Sequence, residues 1–197
     1  MSRRSWLAVV IVLSASFADA EDWPGWRGPR GDGHSAETNA PIKWSAKSLV
    51  WKTKLPGAGQ SSPVVWGDRI FLTTALSAGG SRVVMGLDRK TGDILWQQTA
   101  WTGSPEASHK MNGWASASCA TDGEQVVAFF GTGGLHCYSL EGTHRWSRDL
   151  GKFPGAWGTS ACPIIAGDLI VQNCDSTKGS RIMAFDKKSG QIGRAHV

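Results

Sequence analysis

Polar side chains that could bind a ligand or a partner stand beside tryptophans in three linking segments of this 197-residue chain. The segments are PGAGQSS, WTGSPEASHKMNGWAS and LGKFPGAWGTS. Convergent polar groups beside aromatic rings are typical of a binding pocket, and functional residues concentrate in loops. A histidine such as His109 could act as a general base, although a solitary loop histidine is more often solvated. The predicted binding residues are Gln60, Ser61, His109, Lys110, Asn112, Trp114, Trp157, Thr159 and Ser160.

Other chemistries have little support in the sequence. It contains no G-x-S-x-G elbow, no paired carboxylates suited to glycosidic cleavage, and no CxxC or HxxxH spacing for a metal. Asn173 and Asp175 come nearest to a calcium set, but a hard cation needs several converging oxygens. We therefore predict no catalytic residue, no metal site and no cofactor. The alternative for each loop residue is a solvated side chain, with Trp114 and Trp157 packed on strand edges.

The sequence contains four cysteines, which allow three disulfide connectivities: Cys119, Cys137, Cys162 and Cys174. Cys162 and Cys174 flank a Gly167-Asp168 turn that would set residue 162 opposite residue 173. This offset points the two cysteine side chains to opposite faces of the hairpin. Buried free thiols are therefore favoured over a bridge.

The linking segments connect copies of one repeated pattern. With 25 glycines, 11 tryptophans and no long amphipathic pattern after the N-terminus, the chain favours short strands and tight turns. The copies begin SSPVVWGDRIFLTTA, SASCATDGEQVVAFFG and TSACPIIAGDLIVQNCD, and the closing tryptophans Trp51, Trp96 and Trp146 recur at intervals of 45 and 50 residues. Four antiparallel strands repeated at about this period predict blades of an all-β propeller, each blade stacking on its neighbours.

The domain organisation follows from this repeat. Residues 1–20 are predicted to be a signal peptide, 21–50 an N-terminal extension and 51–191 a partial propeller. Within the propeller we predict a closing strand near 49–55, blades at 61–98 and 116–150, and an incomplete blade at 159–191.

The turn before each closing tryptophan resembles the tryptophan-docking motif of quinoprotein-type (PQQ-like) β-propellers. The matching phrases are GLDRKTGDILW, from Gly86 to Trp96, and AFDKKSG, from Ala184 to Gly190. The motif implies that aspartate and glycine shape the turn while the indole packs between neighbouring blades. The second copy, YSLEGTHRW, lacks the aspartate. The docking residues implied by the resemblance are Asp88, Gly92, Trp96, Trp146, Asp186 and Gly190.

The resemblance covers about residues 44–192 and implies a ring of seven or eight blades, of which about three are present. The N-terminal EDWPGWRGPRGDGHSAE and the later LVWKTKLPG also resemble the opening segment and the ring-closing strand of exported members of this family. The remaining blades are expected in the full-length chain.

The family resemblance implies two possible activities. One branch comprises the outer-membrane barrel-assembly lipoprotein and exported binding propellers, and the other comprises PQQ- and calcium-dependent alcohol and sugar dehydrogenases. The absence of an adjacent cysteine pair and of a calcium trio favours the first branch. We expect a non-catalytic binding or scaffold module for a protein partner or small ligand. The alternative is a PQQ- and calcium-dependent dehydrogenase whose catalytic residues lie in the missing blades.

The N-terminus predicts export. Arg3 and Arg4 precede an apolar stretch from Leu7 to Leu13, and Ala18-Asp19-Ala20 supplies a cleavage site after Ala20. The apolar stretch is too short to span a bilayer, which takes about 20 residues. A periplasmic or secreted location with no membrane span in the mature chain is expected. The formal charge of +5 becomes +4 after cleavage, and its scattered basic residues do not predict nucleic-acid binding.

The last residues, QIGRAHV, depart from the repeat, because Arg194 stands where a tryptophan is expected. Residues 192–197 can be encoded by the start of a widely used sequencing adapter, so we predict a non-native tail there. The alternative is a natural, divergent terminus. An open stack of blades leaves apolar faces uncovered, so the 197-residue chain alone is expected to fold poorly.

Overall fold

The computed structural model describes residues 20–155 and 157–196, in which twelve strands form three four-stranded antiparallel sheets. Apart from Ala20, the predicted signal peptide lies outside the described residues. The first sheet contains β1 (Val64–Trp66), β2 (Arg69–Leu76), β3 (Ser81–Asp88) and β4 (Ile94–Thr102). The second contains β5 (Ala120–Thr121), β6 (Gln125–Phe129), β7 (Leu135–Ser139) and β8 (His144–Arg148). The third contains β9 (Ile164–Ala166), β10 (Leu169–Cys174), β11 (Arg181–Asp186) and β12 (Ile192–His196).

Each sheet uses four strands that follow one another in the chain, which confirms the predicted all-β blades. The first strands of consecutive sheets, β1, β5 and β9, adjoin one another, so the sheets fan out from a common inner edge. In the part of the chain that the structure describes, three short 3-10 helices cover Ala46–Ser48, Ser77–Gly79 and Gly131–Gly133. No helix in the described ranges is long and apolar enough to cross a bilayer.

Two-residue turns set the register of the first and third hairpins. Trp66 pairs with Arg69, and Ala166 pairs with Leu169, so a single Gly-Asp dipeptide closes each turn. The second hairpin differs, because Thr121 pairs with Val126 and leaves a four-residue turn. In that turn the Asp122 carboxylate accepts the backbone N–H groups of residues 124 and 125.

Two apolar cores lie between the sheets, as the period-two alternation of a strand requires. In β6, Val127 and Phe129 pack with residues of the third sheet, such as Phe185. The alternate residues, Val126 and Ala128, pack with the first sheet. The second sheet is thus buried on both faces, which is the arrangement of a blade between two neighbours.

Indole groups join successive parts of the chain at one end of the sheets. This is the end that carries the turn between the third and fourth strands of each sheet. Each indole N–H donates to a backbone carbonyl in the turn of the following sheet. These bonds join Trp51 to Arg89 (2.9 Å), Trp96 to Leu140 (2.9 Å) and Trp146 to Lys187 (3.1 Å). The ring covers a glycine of the same turn: Gly92, Gly142 and Gly190 respectively.

A serine replaces the missing aspartate in the second sheet. The Asp88 carboxylate accepts the backbone N–H groups of residues 90 and 91 in its turn. In the second sheet the Ser139 hydroxyl accepts those of residues 141 and 143. The turn therefore keeps its shape without the carboxylate, because a hydroxyl can satisfy the same backbone donors.

One predicted boundary differs from the structure, and the closing strand near 49–55 stays a prediction. Residues 49–55 belong to no strand in the described chain; they contact the first sheet through Trp51 and through Thr53 Oγ1, which donates to the Gly92 carbonyl at 2.6 Å. A ring-closing strand pairs with the last blade of a ring, which is not among the three described sheets. The third sheet is not incomplete at residue 191, because β12 pairs with β11 through backbone groups that do not depend on a tryptophan.

All four cysteines are free, with Cys162 partly exposed and the other three buried. Burial raises the pKa of Cys119 and of Cys137 to about 12. These thiols are therefore held protonated at neutral pH and contribute to packing rather than to nucleophilic chemistry.

Candidate functional site

A cavity of about 480 Å³ opens at the end of the first sheet where the links between sheets emerge. Residues 57–60, the β2–β3 turn at 77–79 and the link at 108–114 supply most of its wall. They meet because, in an antiparallel sheet, every second connection between strands lies at the same end of the sheet. The cavity brings together five of the predicted binding residues: Gln60, His109, Lys110, Asn112 and Trp114.

The other four predicted residues do not line this cavity. Trp157 stands at its side, in a tilted ring contact with His109, with centroids 4.3 Å apart and planes at 47°. Ser61 faces a neighbouring cavity of about 330 Å³ beside β2. Thr159 lies against Gly131 of the second sheet, and Ser160 is exposed.

A tight turn presents His109 to the cavity. The backbone N–H of Asn112 donates to the His109 carbonyl at 2.9 Å, and the N–H of Met111 donates to His109 Nδ1 at 3.2 Å. Because Nδ1 accepts this bond, the neutral imidazole carries its proton on Nε2. Asn112 Nδ2 donates to the Trp157 carbonyl at 2.6 Å, which ties the first link to the second.

Gln60 and Ser61 are used within the fold. Gln60 Oε1 accepts the N–H of Gly113 and the hydroxyl of Ser116, both at 3.0 Å. The Ser61 hydroxyl donates to a β2 carbonyl at 3.2 Å and accepts the backbone N–H of the same residue, Thr73. These bonds fasten the segment before β1 to the link that carries His109.

A fully buried guanidinium positions the loops around the cavity. Arg82 has no exposed surface, and its Nη2 lies 2.9 Å from the Glu106 carboxylate. Arg82 Nε donates to the Gly79 carbonyl at 2.8 Å, and Nη1 donates to the Phe130 carbonyl at 3.2 Å. The guanidinium also lies 4.8 Å from the Trp101 ring centroid. One side chain thereby joins a turn of each of two sheets to the link between them.

Sequence analysis missed Arg82 and Glu106. The available signal was a lone arginine in the otherwise apolar strand SRVVMGLD, and nothing in the sequence connects it to a carboxylate 24 residues later. The pair also fixes Trp114, whose Nε1 donates to the Glu106 carbonyl at 2.8 Å.

The β2–β3 turn holds two non-glycine residues in the left-handed region, Ser77 with φ 51° and Ala78 with φ 49°. Side chains rarely adopt this conformation, and such strain is found preferentially at binding sites. Gly79 follows with φ 87°, and a Cβ there would lie 2.3 Å from the Trp114 ring. The turn therefore closes onto Trp114 at a distance that only glycine permits.

The cavity wall is more apolar than polar, and its ionisable side chains are both basic. His109 and Lys110 are the only ionisable side chains among its lining residues. The Ser108 hydroxyl donates to the Asn112 carbonyl rather than to His109, so these two side chains do not form a nucleophile and base pair. The site can donate hydrogen bonds and attract negative charge, which suits recognition of a polar or anionic group.

The described residues do not fit a quinone held with calcium. Calcium takes six to eight oxygen ligands, and no carboxylate lines the cavity. Asn173 and Asp175 are exposed and bonded to each other, with Asn173 Nδ2 donating to Asp175 Oδ2 at 2.9 Å. Within the described ranges, no three His, Cys, Asp or Glu side chains are grouped closely enough to hold a metal ion.

Four-stranded sheets that fan out from a common inner edge, with a cavity at the mouth, define a β-propeller. A family profile described as outer membrane protein assembly factor BamB matches residues 36–191, and the chain belongs to this PQQ-like propeller family. No curated protein sequence matched the chain.

Solved structures share this fold at low identity. Quinohemoprotein alcohol dehydrogenase from Comamonas testosteroni is 14% identical with a TM-score of 0.62, over 89% of this chain and 27% of that one. BamB from Moraxella catarrhalis is 16% identical with a TM-score of 0.50, over 75% of this chain and 54% of that one. A europium-containing methanol dehydrogenase is 16% identical with a TM-score of 0.52, over 71% and 24%. The chain thus spans between about a quarter and about half of these proteins.

Proposed function

We propose that the chain acts as a non-catalytic binding or scaffold module, with the cavity at the first sheet as its binding mouth. The observation that carries this proposal is the convergence of Gln60, His109, Lys110, Asn112 and Trp114 on one cavity. Two large side chains stand exposed beside them: Met111 is 75% and Trp157 is 65% exposed. Tryptophan and methionine are enriched in protein interfaces, so a protein partner fits this rim best.

The proposal includes export to the periplasm or the cell exterior by a signal peptide cleaved after Ala20. It also includes a closed ring with further blades, and a docking role for the tryptophan and glycine pairs at the sheet-to-sheet turns. The family described as an outer-membrane assembly factor supports a role in assembling other proteins.

Reconstitution with PQQ and calcium separates this proposal from a dehydrogenase. The full-length exported protein, mixed with both, is expected to show no bound-quinone absorbance and no dye-linked oxidation of alcohols or sugars. Turnover that requires PQQ and calcium together would contradict a non-catalytic role. It would instead assign the chain to the PQQ- and calcium-dependent dehydrogenases.

A further inference from the structure

The first residue after the proposed cleavage site is held from two sides. The backbone nitrogen of Glu21 donates to Glu37 Oε1 at 2.6 Å. The Glu21 carboxylate accepts Arg30 Nη1 at 2.6 Å, the Ala36 N–H at 3.1 Å and the Ser35 hydroxyl at 3.3 Å. These bonds hold the pKa of the Glu21 carboxyl below its usual range, the Arg30 bond contributing most. The backbone nitrogen and the carboxylate of Glu21 thus both bond within the segment 21–37.

The next three residues attach the segment 21–37 to the inner edge of the sheets. Trp23 and Val65 exchange two backbone bonds of 2.8 and 2.9 Å, which adds the segment to the free edge of β1. The Thr121 N–H of β5 donates to the Pro24 carbonyl at 2.8 Å. Asp22 Oδ1 accepts the Gly67 N–H at 2.7 Å. The segment therefore spans the innermost strands of the first and second sheets.

Cleavage changes the chemistry of the Glu21 nitrogen, which donates a hydrogen bond to Glu37. Hydrolysis of the Ala20–Glu21 peptide bond consumes one water, giving a carboxylate on Ala20 and an amino group on Glu21. That amino group takes up a proton near neutral pH and carries three N–H donors and a positive charge. The Glu37 oxygen, 2.6 Å away, then meets a cation instead of an amide, and charge-assisted bonds are the stronger kind.

We propose that Glu37 is the receptor site for the α-ammonium group that cleavage creates at Glu21. Processing after Ala20 thereby completes an ion pair that anchors the new N-terminus beside the innermost strands. Ala20, on the other side of the bond to be cut, is exposed, and only the nitrogen of that bond contacts Glu37. The proposal rests on the proposed export and deepens it, because it assigns a structural reason to one particular cleavage position.

N-terminal sequencing and intact mass of the exported full chain give the first test. The expected start is Glu21, and a mature chain that begins at any other residue overturns the proposal. A chain that keeps residues 1–20 and stays in the cytoplasm contradicts the proposed export instead. Neither result bears on binding at the mouth, so the two failures are distinguishable.

Reductive methylation of the α-amino group, measured against the lysines as an internal standard, gives the second test. In the chain that begins at Glu21, Glu37→Gln is expected to speed α-amino labelling by about 1.5- to 5-fold, the range for loss of an exposed ion pair. Glu141→Gln makes the same charge change far from this site and is expected to have no effect. In a chain that begins at Ala20, Glu37→Gln should also have none. Equal acceleration in both chains, or none in either, would overturn the proposal.

Discussion

At the scale of single residues, Arg82 does the most to hold the mouth together. It contacts two turns and the link between them, and it has no exposed surface. Replacing it by methionine keeps the apolar stem but leaves the Glu106 carboxylate, 28% exposed, without its partner. Removing one partner of a buried ion pair costs about 3 kcal/mol or more.

We therefore expect Arg82→Met to lower the free energy of unfolding of the full-length protein by about 3 kcal/mol, measured by urea denaturation. Arg27→Met, at an exposed arginine, is expected to change it by less than about 0.5 kcal/mol. Equal losses in the two variants would show that the buried pair does not position the mouth.

A second residue pair makes stability depend on pH. Asp122 of the second sheet and Lys187 of the third lie 2.9 Å apart, with side chains only 18% and 15% exposed. Burial raises the pKa of Asp122, but the bonds from Lys187 and from two backbone N–H groups outweigh it and hold the pKa below its usual range. A carboxyl whose pKa is lower in the folded state than in the unfolded state stabilises the fold at pH values above its unfolded-state pKa. This stabilisation is lost as the pH falls through the folded-state pKa.

Asp122→Asn should accordingly be less stable than the native chain at pH 7, with the difference shrinking as pH falls below about 3.9. Thermal unfolding between pH 7 and pH 2.5 measures this. Asp68→Asn breaks a more exposed pair with Lys90 and should show a smaller difference at pH 7. If the native chain and Asp122→Asn differ in stability by the same amount across the whole pH range, the expected depression of the Asp122 pKa would be contradicted.

At the scale of elements, the contact between an indole and a turn glycine couples each sheet to the next. Gly142 has φ 85°, and a Cβ there would lie 2.6 Å from the Trp96 ring. Gly67 also has a positive φ, 52°, but a Cβ there would meet nothing within 4 Å. Substitution at Gly67 therefore measures backbone strain alone, and substitution at Gly142 adds the cost of displacing the indole.

Gly67→Ala is expected to cost about 1–2 kcal/mol, from backbone strain alone. Gly142→Ala should cost about 1–3 kcal/mol more, because the added methyl overpacks the indole site. Urea midpoints with tryptophan fluorescence measure both, and the emission of Trp96 should shift only in Gly142→Ala. Similar costs for the two variants would mean that the indole contact does not couple the sheets.

The elements themselves were predictable from the sequence for definite reasons. Period-two apolar runs and Gly-Asp turns placed the first and third hairpins, because both signals act within a few residues. The turn around Ser139 escaped motif matching, since the match required an aspartate while the backbone needs only an acceptor. His109 was predicted because its linking segment combines polar side chains with tryptophans, which is a local signal. The Arg82–Glu106 pair and the strained Ser77 did not, because both depend on packing between distant segments.

At the scale of the whole molecule, the outer face of the third sheet is apolar and uncovered. Its exposed residues are Ile164 at 61%, Leu169 at 42% and Ile182 at 54%. Contiguous exposed apolar surface marks an interaction site or an aggregation liability. The second sheet, by comparison, buries both faces.

We expect the 197-residue chain to self-associate through this face. Ile182→Lys combined with Leu169→Lys should shift it toward monomer in sedimentation velocity experiments, since two charges disfavour burial of the face. Gln97→Lys, on an exposed edge of the first sheet, is the matched control and should leave the association unchanged. A monomer at all concentrations without any substitution would contradict the prediction.

The proposed function requires that the mouth beside His109 bind a partner and that the opposite end of the sheets not bind it. A photo-crosslinking amino acid placed at Met111, in exported protein inside cells, tests this most directly, with Lys90 at the opposite end as control. We expect one dominant adduct of defined mass from Met111, lost when Trp157→Ala and Asn112→Ala are added, and none from Lys90. No adduct from Met111, or the same adducts from both positions, would contradict it.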